Sequence, residues 1–223
     1  MNTKHSTRMM SMARSDQADA NRRLFARQRT FALNVIGSAG CGKTTLLERT
    51  IEELSEKVSI GVIEADVQNT LDAQRIRELH VPVAQVITHG ICHLEPEMVW
   101  VAMKDKRLHG KELLFLENVG GVICPPTIDL GESLKVAVLS IAEEDTGPIK
   151  YPLLFKNASV LVINKIDLLQ WVSYELESVT THALALNPDI KIFQLSASMG
   201  HGLREWSTWL LHEFRKRQEV VLA

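Results

Sequence analysis

The eight residues GSAGCGKT, Gly37 to Thr44, stand between an apolar run, FALNVI, and a helical pattern, TTLLERTIEEL. They match G-x-x-x-x-G-K-[ST] in the strand–loop–helix context that a phosphate-binding loop needs. Gly37, Gly40 and Gly42 let the backbone wrap closely around phosphates with successive N–H groups pointing inward. The helix N-terminus adds partial positive charge where phosphate oxygens sit. Lys43 is placed to reach the β- and γ-phosphates, and the Thr44 hydroxyl to ligate Mg²⁺. Cys41 and Thr45 belong to the same nucleotide-binding run; Cys41 fills a free position of the motif, and its thiol reads as incidental rather than redox-active.

A second segment chooses the base. ASVLVINKIDLL places Asn164, Lys165 and Asp167 just past a strand as N-K-x-D. A carboxylate there accepts from both N1–H and the exocyclic amine of guanine, a donor pair that adenine lacks. Asn164 can brace the loop while the Lys165 stem lies along the base plane. The next strand, KIFQLSA, ends in Ser196-Ala197, where a backbone N–H would meet guanine O6. The expected nucleotide is therefore GTP or GDP.

Between these ends, IEADVQNTLDAQRI and FLENVGG read as switch segments. Asp66 follows its strand and would orient the Mg²⁺ shell or an attacking water. Asp72 sits at a helix start and suits a first-turn acid. Glu117 and Gly120 form E-N-V-G where D-x-x-G is usual, so Gly120 N–H would contact the γ-phosphate. The longer Glu117 arm would hold Mg²⁺ through water or assist hydrolysis. The expected magnesium set is thus Thr44, Asp66 and Glu117, and the catalytic set Lys43, Asp66, Glu117 and Gly120.

Another chemistry is suggested by THGICHLEPEM, which carries Cys92 and His93 side by side, and by Cys124, four residues after Gly120 in ENVGGVIC. Two thiolates and an imidazole are donors suited to Zn²⁺, Ni²⁺ or Cu⁺. Adjacent residues on a regular strand point to opposite faces, so shared ligation requires an irregular loop. Gly90 before the pair and Pro96 after it are compatible with a loop followed by a helix start. A closed tetrahedral zinc would need a fourth ligand, which leaves an open position or one completed by a second subunit. On residue types alone, half-buried residues without a metal remain an equal alternative. His80, His89 and His109 stay unassigned.

The elements that must position these groups alternate. Strand-like runs FALNVIG, VSIGVIEA, PVAQVIT, ELLFLEN, LKVAVLSI, ASVLVIN and KIFQLSA are separated by amphipathic helical stretches. These are TTLLERTIEELSEK, TLDAQRIRELH, PEMVWVAMKDKRL and WVSYELESVTTHALAL, followed by GLREWSTWLLHEFRKR. In the last, Leu203, Trp206, Leu210 and Phe214 share one face. Near-continuous apolar strands between helices imply an α/β fold, a mostly parallel sheet covered on both faces. The expected division is an N-terminal arm over 1–30, partly helical or mobile, a GTPase domain over 31–218 with an inserted metal loop, and a tail over 219–223.

The chain has 223 residues, 45% hydrophobic and 23% charged, the balance of a globular domain. Net charge is −2, which gives no basic field for nucleic acid. No apolar run approaches the roughly 20 residues of a membrane span, and the first residues lack a signal peptide's apolar core. Three cysteines make a poor disulfide framework. A cytoplasmic location is expected.

Taken together these motifs resemble the HypB family, GTPases that help insert nickel into [NiFe]-hydrogenases. The resemblance covers nearly the whole chain from about Ala20. It is carried by ANRRLFARQRTFALNVIGSAGCGKTTLLE, IEADVQNTLDAQRI, VPVAQVITHGICHLEPEMV, LLFLENVGGVICPPTIDLGE, EEDTGPIKYP, VINKIDLL and QLSASMGHGL. The related urease accessory proteins carry a C-P-H type metal motif, which this chain lacks. The resemblance implies a dimerising P-loop NTPase of the SIMIBI class, with GTP promoting or remodelling the homodimer. It also implies that Cys92, His93 and Cys124 bind nickel or zinc near the subunit interface, and that the partners are other nickel-delivery proteins and a hydrogenase large-subunit precursor. Two features depart from many relatives. Residues 1–30 hold only His5 and no Cys, so a second nickel site is not expected, and Ala39 stands where the phosphate loop usually has Pro. The rival readings are a urease-type nickel GTPase, a P-loop small-molecule kinase, or a GTP-binding regulator with structural zinc.

Overall fold

The computed structural model describes residues 3–68, 70–121 and 128–222. Its centre is a seven-stranded sheet in which every pairing is parallel, in the order β3-β2-β4-β1-β5-β6-β7. The strands are β1 Phe31–Gly37, β2 Ile60–Asp66, β3 Val83–Ile87, β4 Leu113–Glu117, β5 Leu134–Ser140, β6 Val160–Asn164 and β7 Lys191–Gln194. Six of them fall within the apolar runs read from the sequence, and β2 runs one residue past its run, to Asp66. β1, β4, β5 and β6 are buried at every residue, which is why these runs are apolar without alternation.

The helices are α1 Thr3–Gln28, α2 Lys43–Leu54, α3 Leu71–Arg77, α4 Pro96–Ala102, α5 Gly147–Lys150, α6 Pro152–Asn157, α7 Leu176–Leu186 and α8 Leu203–Leu222. On one face of the sheet, Leu46, Leu47 and Ile51 of α2 pack with Leu203, Trp206, Leu210 and Phe214 of α8 against Leu33, Val62, Phe115 and Val136. Trp206 Nε1 donates to Thr50 Oγ1 at 2.9 Å, so the buried indole is also satisfied. On the other face, Phe25 of α1 and Val99 of α4 cover Ala32, Ile63, Leu114 and Leu116. Phe155 of α6 and Val179 of α7 cover Ala137, Leu161 and Ile163.

Two expectations about organisation change. The segment over 1–30 is not set apart from the body. Ala18, Asn21 and Phe25 of α1 are buried, and Asn21 Nδ2 donates to Pro96 O (2.8 Å) and Leu130 O (2.9 Å). Nor does a tail begin at 219, since α8 continues to Leu222 and Gln218 Nε2 donates to Arg29 O. The short helices α5 and α6 were not foreseen; Pro148 and Pro152 start them at N-terminal positions where a missing N–H costs nothing. Among the described residues no helix is long and apolar enough to cross a membrane.

β1 is the middle strand; from it the chain runs to β2 and β3 on one side, returns to β4 beside β1, and crosses to β5, β6 and β7 on the other, so the direction reverses at β1. The crevice beyond the carboxyl ends at such a reversal is where open α/β sheets bind ligands. All the motif residues with described positions lie at this carboxyl edge.

Candidate functional site

The phosphate loop links β1 to α2. Gly42 is the residue before α2 and is left-handed (φ 97°), as is Gly40 (φ 77°). A Cβ on Gly42 would lie 2.4 Å from Asn164 Nδ2, and one on Gly37 2.5 Å from Val138 O. These glycines are thus fixed by conformation and by close approach. Lys43 Nζ folds over the loop and donates to Gly37 O (3.2 Å) and Ser38 O (3.1 Å). The Cys41 side chain is fully buried among core residues, where burial pushes its thiol pKa up, so Cys41 has only its backbone to offer the loop. Thr45 Oγ1 accepts from Arg75 Nη2 at 3.2 Å.

The carboxylates next to the loop form a buried group that sequence reading only half identified. Thr44 Oγ1 donates to Glu117 Oε1 at 2.6 Å, while Glu117 Oε2 is buried without a hydrogen-bond partner. Glu64, which carries no role in any motif, is aligned with Glu117 in the β2–β4 register and is 2% exposed. Its Oε2 is also buried and unpartnered. In-register residues of neighbouring parallel strands point to the same face, so the two carboxyls converge. Burial, then the charges of Glu117, Asp66 and Asp72, raise the Glu64 pKa to about 8; burial raises that of Glu117 to about 7, against the Thr44 hydrogen bond and the Lys43 charge. Asp66 Oδ1 accepts from Gln68 N at 2.8 Å. An orphaned buried carboxylate oxygen on Glu117 beside the Thr44 hydroxyl is the kind of oxygen donor set a hard cation takes, so Thr44 and Glu117 fit Mg²⁺, with Asp66 at the end of the neighbouring strand.

These shifts have a measurable consequence in the ligand-free protein. An unfolded Glu64 titrates near its ordinary 4.5 and the folded one near 8, so between these values the folded state binds the extra proton. Stability therefore falls as pH rises through that window. Glu64→Gln is expected to raise the melting temperature at pH 8 and to leave it nearly unchanged at pH 5. An equal shift at both pH values would count against a protonated Glu64.

At the base end, Asn164 is buried and ties three loops together. Its Nδ2 donates to Cys41 O (2.9 Å), and its Oδ1 accepts from Lys165 N (2.8 Å) and Ala197 N (3.0 Å). Lys165 is left-handed (φ 65°) and its Nζ donates to Gly40 O at 2.6 Å, which closes the crevice over the phosphate loop. Asp167 Oδ1 is buried with no hydrogen-bond partner. The O6 contact expected from Ser196 and Ala197 is not freely offered: Ser196 N donates to His201 O, and Ala197 N to Asn164 Oδ1.

Cys92 and His93 lie where an irregular loop was required. His89 (φ 51°) and Gly90 (φ 95°) are both left-handed after β3, and Thr88 pins the turn, its N–H bonded to Asp66 O (2.9 Å) and its hydroxyl to Ile91 O (2.5 Å). Cys92 Sγ lies 3.6 Å from His93 Nδ1, and Cys92 is not a free thiol. His93 Nε2 lies 2.7 Å from Glu95 Oε1, which also accepts from Arg14 Nη2 of α1 at 2.5 Å. Such a carboxylate fixes the imidazole so that its other nitrogen faces a metal. Cys124 lies outside the described residues, and among these no group of three or more His, Cys, Asp or Glu is arranged to hold a metal ion.

Gly120 and Asn118 connect the two regions. A Cβ on Gly120 would lie 2.8 Å from Ala39 Cα, so this switch glycine rests against the phosphate loop. Asn118, buried and assigned no role from sequence, accepts at Oδ1 from Leu94 N (2.8 Å) and Val119 N (3.1 Å), and donates from Nδ2 to Asn34 Oδ1 (3.2 Å). Glu64 and Asn118 were missed because each gains meaning only from a partner distant in sequence, and Glu95 because its contact with His93, two residues before it, depends on the irregular turn of the loop.

Comparison with known proteins agrees with this geometry. The family model described as CobW/HypB/UreG, nucleotide-binding domain, matches residues 31–194. The hydrogenase maturation factor HypB of Escherichia coli K12 is 42% identical over 193 residues, 86% of this chain and 67% of that protein. The Azotobacter chroococcum factor of the same name is 44% identical, over 86% of this chain and 63% of its own length. The chain thus spans about two thirds of these relatives. The crystal structure of HypB from Archaeoglobus fulgidus superposes with a TM-score of 0.85 at 34% identity, covering 91% of this chain and 99% of that one. HypB from Helicobacter pylori in complex with nickel gives 0.86 at 29% identity, covering 92% and 96%. With a P-loop at the reversal point of its parallel sheet and these relatives on both counts, the chain belongs to the HypB family of CobW/HypB/UreG nucleotide-binding domains.

Proposed function

We propose that this protein is a GTP-hydrolysing metallochaperone that carries nickel for hydrogenase maturation, with nucleotide state coupled to metal binding. The observation that carries the reading is the end of β4. Glu117 holds the Thr44 hydroxyl, Gly120 touches the phosphate loop at Ala39, and Cys124 follows four residues later in sequence. One short segment thus runs from the phosphate site toward a cysteine of the proposed metal site. The relatives named hydrogenase maturation factor, and the neighbour solved with nickel, support the cargo.

In this reading Asp167 accepts from N1–H and the amine of guanine, for which its orphaned Oδ1 is the vacant acceptor. Gly37–Thr44 N–H groups cradle the phosphates, and Lys43 releases the loop carbonyls to pair with phosphate oxygens as charge builds on them. Mg²⁺, held by Thr44, Asp66 and Glu117, supplies charge neutralisation at the phosphates when bound. Gly120 N–H faces the γ-phosphate position, and Asp66 and Glu117 are the carboxylates available to orient water. Arg75 is held by Glu48 (2.6 Å), Asp72 and Thr45, so it is not free to act as an arginine finger, and unaided hydrolysis is slow.

Nickel binds Cys92, His93 and Cys124 with both thiols reduced, and a second subunit completes the ligand set. Exposed Ile149, Leu153, Trp171 and Leu184 support a homodimer, since apolar groups in that region favour cover by another chain. The further partners are other nickel-delivery proteins and the hydrogenase large-subunit precursor. Single-turnover hydrolysis tests the enzymatic part: GTP is consumed, ATP is not, and Lys43→Ala lowers the GTP rate by at least about 100-fold. Equal turnover of ATP would instead support a small-molecule kinase.

A further inference from the structure

Glu117 and Asn118 are neighbours at the end of β4, and their side chains leave it in opposite directions. Glu117 reaches Thr44 of the phosphate loop at 2.6 Å; Asn118 reaches the amide of Leu94, the residue after Cys92-His93, at 2.8 Å. We infer that Asn118 is the positioning residue that couples the phosphate site to the Cys92–His93 loop. The inference rests on the proposed nucleotide-gated metal function and adds a residue and a route to it.

The geometry singles out Asn118 in three ways. Its hydrogen-bonding capacity is spent on structure rather than solvent: Oδ1 takes two backbone N–H groups, Leu94 and Val119, and Nδ2 is held by Asn34. Its backbone stands at the end of the pairing with β1, Asn118 N donating to Val35 O at 3.0 Å, directly before the switch leaves the sheet. Among the described residues its partner loop is hydrogen-bonded to the sheet at Thr88, whose N–H meets Asp66 O, and Leu94 itself packs in the core beside Asn118's strand. A shift of Gly120 away from Ala39 therefore moves Val119 N and Asn118 Oδ1 together, and the Leu94 amide must follow or lose its acceptor. A buried amide left without an acceptor is disfavoured enough to change an equilibrium between two loop positions by about 5- to 150-fold.

The far end of the same segment is held as well. Asn34 Nδ2 donates to Glu132 Oε1 (3.2 Å), Glu132 Oε2 accepts from Leu130 N (2.6 Å), and Lys135 Nζ donates to Ile128 O (3.0 Å). Residues 128–135 are thus tied to Asn34 and, through it, to Asn118.

The test compares the full chain with Asn118→Ala and Asn118→Asp, the second keeping an Oδ1 acceptor for Leu94. Ni²⁺ affinity is measured by competition against a chromophoric chelator, under reducing conditions, with GDP or a non-hydrolysable GTP analogue bound. Amide hydrogen exchange at Leu94 is followed in the same nucleotide states without metal. In the natural protein the two nucleotide states should differ at least about fivefold in Ni²⁺ affinity, and Leu94 exchange should change between them. Asn118→Ala should bring the ratio to within twofold and abolish the Leu94 difference while GDP affinity is retained; Asn118→Asp should preserve both. Coupling undiminished in Asn118→Ala, or Leu94 protection indifferent to nucleotide in the natural protein, overturns the inference. If Asn118→Ala does not fold, the Leu94 exchange and Asn118→Asp still decide it. Failure of the natural protein to bind Ni²⁺ in either state would instead remove the function on which it rests.

Discussion

Asp167→Asn should weaken GDP binding by about 10²–10⁴-fold and raise the affinity for xanthosine diphosphate. The carboxylate faces two donors of guanine, each charge-assisted bond being worth about 1.5–3 kcal/mol, and 1.4 kcal/mol is a factor of ten. An asparagine keeps one acceptor for N1–H but presents an N–H where guanine has its amine. Xanthine carries a carbonyl oxygen at that place, so the pairing is restored. Asp167 Oδ1 is buried and unpartnered in the nucleotide-free chain, which means that no protein donor compensates the loss. Competition against a fluorescent guanine nucleotide reads the change. Unaltered preference for guanine would show that Asp167 does not read the base.

The second large effect is expected at the metal loop. Cys92→Ala should abolish tight Ni²⁺ binding, because it removes one of three proposed donors. Glu95→Ala should weaken binding by about 10–100-fold without removing any ligand, as loss of a carboxylate behind a ligating imidazole does. The Glu95 effect follows from the 2.7 Å contact with His93 Nε2, which leaves Nδ1 on the side of Cys92 Sγ. Arg14 bonds the same carboxylate oxygen, so Arg14→Ala should produce a smaller change in the same direction. Helix α1 carries no Cys, yet it contributes to the loop in this way and through Asn21 on Pro96 O. Isothermal titration under reducing conditions distinguishes these variants. Tight binding retained in Cys92→Ala would remove the proposed site.

Much of this arrangement was legible in the sequence because two periodicities and two loop motifs are strong signals. All seven apolar runs became strands, with only Asp66 of β2 outside its run, since burial on both faces of the central strands leaves no alternation to confuse them. Leu203, Trp206, Leu210 and Phe214 pack as their helical spacing implied. The phosphate loop and N-K-x-D meet at Asn164, which the motif named as a brace. What was not legible depends on partners distant in sequence. Glu64 looks like an isolated acid in a strand until the β2–β4 register sets it beside Glu117. Asn118 lies inside a recognised switch motif, but only the fold places Leu94 next to it. The packing of the segment before residue 30 was not legible either: one long helix carries a polar first half and a second half with buried Ala18, Asn21 and Phe25. Composition averages over such a helix, whereas packing divides it.

The central claim is that nucleotide and metal are linked through the end of β4. Its most direct test is the Ni²⁺ dissociation constant of the reduced full chain, measured once with GDP and once with a non-hydrolysable GTP analogue, together with the reverse titration of each nucleotide with and without Ni²⁺. The account predicts that the two Ni²⁺ constants differ by at least about fivefold and that the nucleotide affinities change by the same factor, as linkage requires. Equal Ni²⁺ constants in the two nucleotide states would contradict it.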